Sequence, residues 1–116
     1  MPGIIRTTRS SMNCSRGDVV LLPIPFTDLT SRKVRPAVVI GRGSFPGDLF
    51  VVPVSSRLQQ MDLLLEDWQA ARLNVPCGIK AQIAAIEDRL IVKSLGHLSS
   101  RDLASLDDRL RNWLGL

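Results

Sequence analysis

The chain is poor in the residue types that most often build catalytic and metal sites. Its 116 residues include one histidine, two cysteines and no tyrosine. One histidine excludes a two-histidine mechanism, and two isolated cysteines do not form a disulfide framework. With no paired carboxylates at ligand spacing and no glycine-rich phosphate loop, we expect neither a metal site nor a cofactor.

Long hydrophobic runs are also missing. No apolar stretch approaches the roughly 20 residues that cross a bilayer, and the arginines near the N-terminus are not followed by the hydrophobic region of a signal peptide. Together with the cysteine usage, this predicts a protein of the reducing cytoplasm that has no membrane association.

Negative charge is scarce in the first half of the chain. Residues 1–50 carry seven Lys or Arg against three Asp, whereas residues 51–116 carry eight charges of each sign. This asymmetry favours an anionic partner, either nucleic acid or an acidic peptide. Residues 1–15 are interpreted as a flexible leader, with Met12 as an alternative start, and residues 16–116 as a single domain.

Short β-branched runs separated by turn residues predict five or six strands. They cover residues 19–24, 36–40, 49–54, 62–65, 79–86 and 90–93. Pro23 and Pro25 are expected to place the first strand at a sheet edge or to bend it. Residues 66–73 are compatible with two helical turns. The pattern as a whole predicts a mainly β fold, a small and strongly bent barrel with one helix laid on it.

The C-terminal segment predicts that helix. Ser99 or Ser100 can cap its start, Asp102 follows Ser99 at the spacing of a capping box, and Gly115 ends it. The apolar face, expected to pack on the core, consists of Leu103, Leu106, Leu110, Trp113 and Leu114. The remaining helix surface is assigned to Asp102, Asp107, Asp108 and Arg109.

Three polar residues stand out against the predicted strands. Arg35 precedes a strongly apolar run, and Pro36 restricts its backbone, so its guanidinium is expected at the rim of the sheet, where it suits a phosphate. Taken by itself, an ordinary strand-end arginine is the commoner interpretation. Ser55 ends the next long strand and either faces the same phosphate or only closes a turn. Gln82 lies among apolar residues and either orients a neighbour, reads a base edge or faces solvent.

Several motifs, taken in order, resemble the MazF/PemK toxins of type II toxin–antitoxin systems. They are Arg-Gly-Asp-Val-Val at 16–20, Lys-Val-Arg-Pro-Ala-Val-Val at 33–39, Val-Pro-Val-Ser-Ser at 52–56 and Ala-Gln-Ile at 81–83. Residues 85–88, Leu95-Gly96 and the terminal helix continue the match to Leu116. Residues 25–29 look like the PemK-like branch.

The resemblance implies an SH3-like barrel of the CcdB/PemK type that forms a homodimer. It also implies a metal-independent, sequence-selective endoribonuclease that cleaves single-stranded RNA by attack of the ribose 2′-OH, leaving a 2′,3′-cyclic phosphate and a 5′-OH. An antitoxin with an acidic tail would neutralise it. By resemblance, Arg35 and Ser55 are the catalytic residues. The substrate-binding candidates are Gln82, Lys33, Ser56, Asp28 and Phe26.

The chain departs from the family at one position that bears on mechanism. Many relatives carry a glutamate near Thr30, whereas the closest carboxylate here is Asp28. Arginine is a poor proton carrier, and His97 is interpreted as structural or exposed, so the general base is unassigned. Two alternatives stay open: a toxin of the same fold that acts on a protein such as DNA gyrase, and a barrel that only binds nucleic acid or peptide. Phe26 and Phe45 are the candidates for base stacking.

Overall fold

An antiparallel sheet and one C-terminal helix account for most of the described chain. The computed structural model describes residues 14–23 and 33–116. Within them the elements are β1 (Asp18–Pro23), β2 (Val34–Arg42), β3 (Asp48–Ser55), β4 (Leu63–Leu64), β5 (Gly78–Ile79), β6 (Ala84–Glu87), β7 (Lys93–His97) and α1 (Ser100–Leu114). Short 3-10 turns cover Leu58–Gln60 and Asp88–Leu90.

The strand order is β4-β5-β3-β2-β1-β7, and β6 also pairs with β3. One edge of β3 pairs with β2, while its other edge pairs with β6 along its first half and with β5 at its end. Register shifts in the β1–β7 and β2–β3 ladders mark irregularities of the kind that bend a sheet. This confirms the mainly β, barrel-like fold with one C-terminal helix. Among the described strands, however, the sheet stays open, because no pairing joins β4 to β7.

The three longest strands are buried on both faces, as expected for continuous Val, Leu and Ile runs. One core lies between the sheet and α1, and its most buried members include Val19, Val38, Val52, Ile79 and Leu106. The second core lies on the opposite face and consists of Val20, Leu22, Ala37, Val39, Leu49 and Val51. The buried strands form a firm support for the side chains at their ends.

Of the two outcomes predicted for the prolines, an edge position or a bend, the edge position is wrong. β1 lies between β2 and β7. β7 pairs with β1 only from Asp18 to Leu21, whereas Pro23 pairs with Val34 of β2. The proline therefore falls beyond the end of β7, where its missing N–H costs no ladder hydrogen bond. Pro25 lies outside the described residues.

The helix prediction is confirmed at both ends. The Ser99 hydroxyl accepts a hydrogen bond from the Asp102 N–H, and Gly115 takes the left-handed conformation with φ 73°. Leu106 is fully buried, and Leu103, Leu110 and Trp113 pack against the first core. Leu114 is mostly exposed, so the predicted apolar face is one residue too long.

The predicted strand at 79–86 is broken in two. The Ala81 N–H donates to the Asp62 carboxylate over 2.7 Å, and the Gln82 N–H donates to the Lys80 carbonyl over 2.8 Å. These bonds turn the backbone between β5 and β6. Beyond the break, a different set of side chains faces the core. Ala84 and Ile86 pack against the second core, while Ile83 is exposed.

Two other segments differ from prediction. The strand predicted at 90–93 is displaced toward the C-terminus and forms β7 (Lys93–His97). Residues 66–73 form one closed turn instead of two helical turns. It ends with hydrogen bonds from Leu73 N–H to Trp68 O and from Arg72 N–H to Gln69 O, the Schellman pattern that terminates a helix.

Candidate functional site

A cavity of about 530 Å³ lies beside the start of β2 and the end of β3. Residues 53–57 form one part of its lining, residues 72–75 form another, and Cys77, Lys80 and Gln82 come from the segment around β5. Four of the predicted site residues line this one cavity. They are Arg35, Ser55, Ser56 and Gln82.

The pairing of β2 with β3 brings Arg35 and Ser55 together. The register places Val38 opposite Val52 and Ala37 opposite Pro53, the last pair of this ladder. Arg35 and Ser55 each lie two residues beyond that pair, and both line the cavity. Arg35 is exposed, and it is the second residue of β2, which begins two residues earlier than predicted.

Ser55 combines a fixed position with a free donor. Its Oγ accepts a hydrogen bond of 3.1 Å from the Arg57 N–H, a turn in which a serine side chain replaces a backbone acceptor. A hydroxyl can accept and donate simultaneously, so the Ser55 O–H can still donate to a ligand. The turn is therefore compatible with the predicted site role of this residue.

Gln82 reaches the cavity from a bend, not from the middle of a strand as predicted. The Lys80 N–H donates to Pro53 O over 3.1 Å, and the Asp62 carboxylate holds the Ala81 N–H. A guanidinium N–H of Arg109 in α1 donates in turn to the Asp62 carbonyl. This chain of contacts positions Lys80 and Gln82 at the cavity wall.

The cavity lining is strongly positive. Its described residues include Arg35, Arg57, Arg72 and Lys80 and no aspartate or glutamate. Within the described ranges, no hydrogen bond or ion pair holds the three guanidinium groups, and the Lys80 ammonium donates to the Gln60 carbonyl over 3.1 Å. A cluster of cations in one cavity raises the local concentration of an anionic ligand.

Sequence reasoning missed Arg57, Arg72 and Lys80. Arg57 follows Ser55-Ser56 directly and Lys80 precedes Gln82 by two residues, so proximity to predicted site residues could have indicated both. Nothing in the local sequence around Arg72 indicates its placement, which depends on the closed turn.

Among the described residues, Lys33 and Phe45 do not line the cavity. Lys33 is exposed directly before β2 and is not part of the lining. Phe26 and Asp28 lie outside the described residues. Phe45 is exposed in the turn between β2 and β3, away from the lining.

His97 is placed away from the cavity, in agreement with its interpretation as a structural or exposed residue. Its Nδ1 lies 2.9 Å from a carboxylate oxygen of Asp18, at the far end of β1. Neither residue lines the cavity. The described lining therefore offers no imidazole as a proton acceptor.

Cys77 lines the cavity as a thiol. Its Sγ–H donates to the Val75 carbonyl over 3.2 Å, and burial raises its pKa. A protonated thiol is a weak nucleophile and a weak metal ligand. Among the described residues, no group of three or more His, Cys, Asp or Glu side chains is arranged to hold a metal ion.

None of the described helices has the length and apolarity needed to traverse a membrane.

A carboxylate network attaches the 66–77 segment to α1. The Ser99 hydroxyl donates to Asp67 over 2.6 Å, and the Arg101 guanidinium donates to both Asp67 oxygens, over 2.7 and 3.1 Å. These hydrogen bonds, that of Arg101 first, lower the pKa of Asp67 to about 2. The segment that carries Arg72 and Cys77 is thereby fixed at its start.

We expect this network to weaken in acid. The pKa of Asp67 is lower in the folded state than in the unfolded chain, so the stabilisation is complete above about pH 4 and is lost toward pH 2. Urea unfolding of wild type and Asp67→Asn should give a difference in unfolding free energy that shrinks as the pH falls through this range. A difference that stays constant from pH 5 to pH 2 would contradict the assignment.

Comparison with known proteins agrees with the motifs. A search of curated proteins found no match. The family model described as PemK-like, MazF-like toxin of type II toxin-antitoxin system matches residues 15–114, which confirms the resemblance inferred from the sequence. The match includes every described residue that lines the cavity. The chain belongs to the PemK-like, MazF-like toxins of type II toxin–antitoxin systems.

Proposed function

We propose that this toxin is an endoribonuclease that cleaves single-stranded RNA in the cavity beside the start of β2 and the end of β3. The observation that supports this most strongly is that Arg35 and Ser55 line one cavity, whose described lining contains four cations and no carboxylate. A phosphodiester needs a charged donor with fixed geometry, which a guanidinium supplies. Ser55 adds a neutral donor beside it.

The proposed reaction is an internal transfer at one phosphate. The ribose 2′ oxygen attacks the adjacent phosphorus and loses its proton, and the bond from phosphorus to the 5′ oxygen breaks as that oxygen gains a proton. The products are a 2′,3′-cyclic phosphate and a 5′-OH. Arg35 stabilises the negative charge that grows on the phosphoryl oxygens, and Ser55 orients the phosphate. Gln82 and Ser56 contact the neighbouring nucleotide.

The reaction also needs a group that accepts the proton of the ribose 2′-OH. The described lining contains no carboxylate or imidazole, and arginine does not deprotonate in proteins. Asp28, the carboxylate nearest to Arg35 in the sequence, is our candidate, although it lies outside the described residues. Lys33 and Phe26, on either side of it, remain candidates for contacts with RNA.

The proposed partners follow from charge and exposed apolar surface. A type II toxin implies an antitoxin, and an acidic antitoxin tail would complement the cationic cavity. A homodimer would use the apolar groove of about 470 Å³ between the sheet and α1, where Phe50, Ile83 and Leu114 are exposed. The cytoplasm is the proposed compartment, since RNA is available there.

The test is cleavage of single-stranded RNA in EDTA by wild type, Ser55→Ala and the control Ser94→Ala. Ser94 is exposed on β7 and does not line the cavity. We expect cyclic phosphate ends from wild type and Ser94→Ala, and a rate about tenfold lower for Ser55→Ala, the value of one hydrogen bond of ~1.4 kcal/mol. Binding without cleavage would favour the barrel that only binds nucleic acid. Growth arrest without RNA cleavage would favour a protein target.

A further inference from the structure

Arg72 has the only positive φ among the described residues other than glycine, at 67°. It occupies the position after a closed turn at which glycine is usual, because a Cβ there crowds the backbone. A side chain kept in this conformation costs stability, and such positions often have a functional reason.

The turn that carries Arg72 packs tightly against β7. A Cβ on Gly96 would lie 2.8 Å from the Ala71 carbonyl oxygen and 2.8 Å from Arg72 Cγ. Ala71 is fully buried. Gly96 thus allows the close contact that fixes the backbone and the start of the Arg72 side chain against the sheet.

The position of Arg72 directs its charge to the cavity. Arg72 lines the cavity together with Arg57 and Lys80, and within the described part of the chain no hydrogen bond or ion pair holds its guanidinium. A residue that served only to close the turn would need no charge. The conformational cost and the placement together indicate an anionic ligand for this side chain.

One phosphate does not account for the charge of this cavity. A phosphodiester carries one negative charge, whereas four cations of the described residues line a cavity of about 530 Å³. Arg35 and Ser55 lie on β2 and β3, while Arg72 comes from a separate segment that follows β4. The lining therefore has charge for at least two phosphates of one strand.

We propose that Arg72 binds a second RNA phosphate, adjacent to the one held by Arg35, so that the cavity holds at least two successive nucleotides. This inference rests on the proposed function, because it takes single-stranded RNA as the ligand. Arg72 is assigned to binding and not to the reacting phosphate. Its loss should raise KM and leave kcat nearly unchanged.

The experiment measures binding of a non-cleavable, fully 2′-O-methylated single strand at several salt concentrations. The proteins are wild type, Arg72→Gly, Arg72→Lys and the control Arg89→Ala, an exposed arginine paired with Glu87 away from the lining. Each phosphate contact on a single strand contributes about 0.7 to the slope of log K against log salt concentration. For Arg72→Gly we expect a slope smaller by about 0.7, affinity about tenfold lower, and a melting temperature equal to or above that of wild type.

Arg72→Lys should keep the wild-type slope, because it keeps the charge, and Arg89→Ala should match wild type. An unchanged slope in Arg72→Gly, whatever its melting temperature, would overturn the assignment of Arg72 while leaving the proposed function intact. If wild type itself does not bind the strand, and also leaves unmodified RNA intact, the proposed function fails and this inference fails with it.

Discussion

Arg35→Ala should lower the single-turnover rate of RNA cleavage by about 10²–10³-fold, equivalent to ~3–4 kcal/mol of transition-state stabilisation. The guanidinium belongs to the same cavity lining as Ser55, and the phosphate gains charge on its outer oxygens as the 2′ oxygen attacks. A donor aimed at that charge stabilises the transition state more than the bound substrate. The loss should therefore appear in kcat more than in KM.

The replacement Arg35→Lys separates charge from geometry. Lysine keeps the positive charge but has no planar fork that can hold two phosphate oxygens. We expect an intermediate rate, below wild type and above Arg35→Ala. The matched control is Arg89→Ala, which removes an exposed arginine outside the cavity and should cleave at the wild-type rate.

Differences in stability among the variants should not affect this comparison of cleavage rates. Arg35 is exposed, and its side chain has no hydrogen bond or ion pair within the described residues. All three variants should therefore unfold at nearly the same temperature as wild type. Cleavage by Arg35→Ala at the wild-type rate would remove Arg35 from the site.

The largest expected effect on folding comes from Asp102→Ala. Asp102 is only 1% exposed, and its two carboxylate oxygens accept hydrogen bonds from the N–H groups of Glu66 and Asp67, over 3.0 and 2.8 Å. Alanine would leave both donors without an acceptor, at about 1–3 kcal/mol each. We expect the free energy of unfolding to fall by ~3 kcal/mol, measured in urea.

A graded variant and a matched control make this prediction specific. Asp102→Asn keeps one acceptor oxygen and should lose roughly half as much stability. Asp108 is exposed on the same helix, so Asp108→Ala should change the free energy of unfolding by no more than about 0.5 kcal/mol. Equal effects at positions 102 and 108 would show that the burial of Asp102 contributes nothing to the free energy of unfolding.

The burial of Asp102 also shows where sequence reasoning ends. The cap at Ser99 was predictable because it depends on residues three positions apart, and the structure confirms it. The capping box was predicted from the same spacing, but the Asp102 carboxylate turns away and binds N–H groups 35 and 36 residues earlier in the chain. A local pattern on a helix cannot reveal an acceptor needed by a distant loop.

In the candidate site, too, some features could be predicted from the sequence and others could not. Arg35 and Ser55 could be related from the sequence, since both stand at the ends of β-branched runs and neighbouring antiparallel strands place such ends together. Gln82, predicted as a site residue, lines the cavity, but its place in a bend depends on the Asp62 carboxylate, 19 residues from its partner Ala81. Arg72 could not be predicted, because its position requires a left-handed residue within a closed turn.

The order of the elements was easier to predict than their limits. Strand alternation and turn residues indicated the short strands and the helix, since both depend on neighbouring residues. The position of β1 inside the sheet depends on how far β7 extends along it. The openness of the sheet depends on pairing between its most distant strands. Both depend on tertiary contacts, which local periodicity does not reveal.

The most direct measurement of the central proposal uses an RNA that lacks the ribose 2′-hydroxyl only at its mapped cleavage position. In EDTA, we expect wild-type protein to cut the unmodified strand to a 2′,3′-cyclic phosphate and a 5′-OH. The modified strand should bind with similar affinity and stay intact at that position. Cleavage of the modified strand at the same bond would contradict attack by the 2′ oxygen, and with it the role proposed here for the cavity of Arg35 and Ser55.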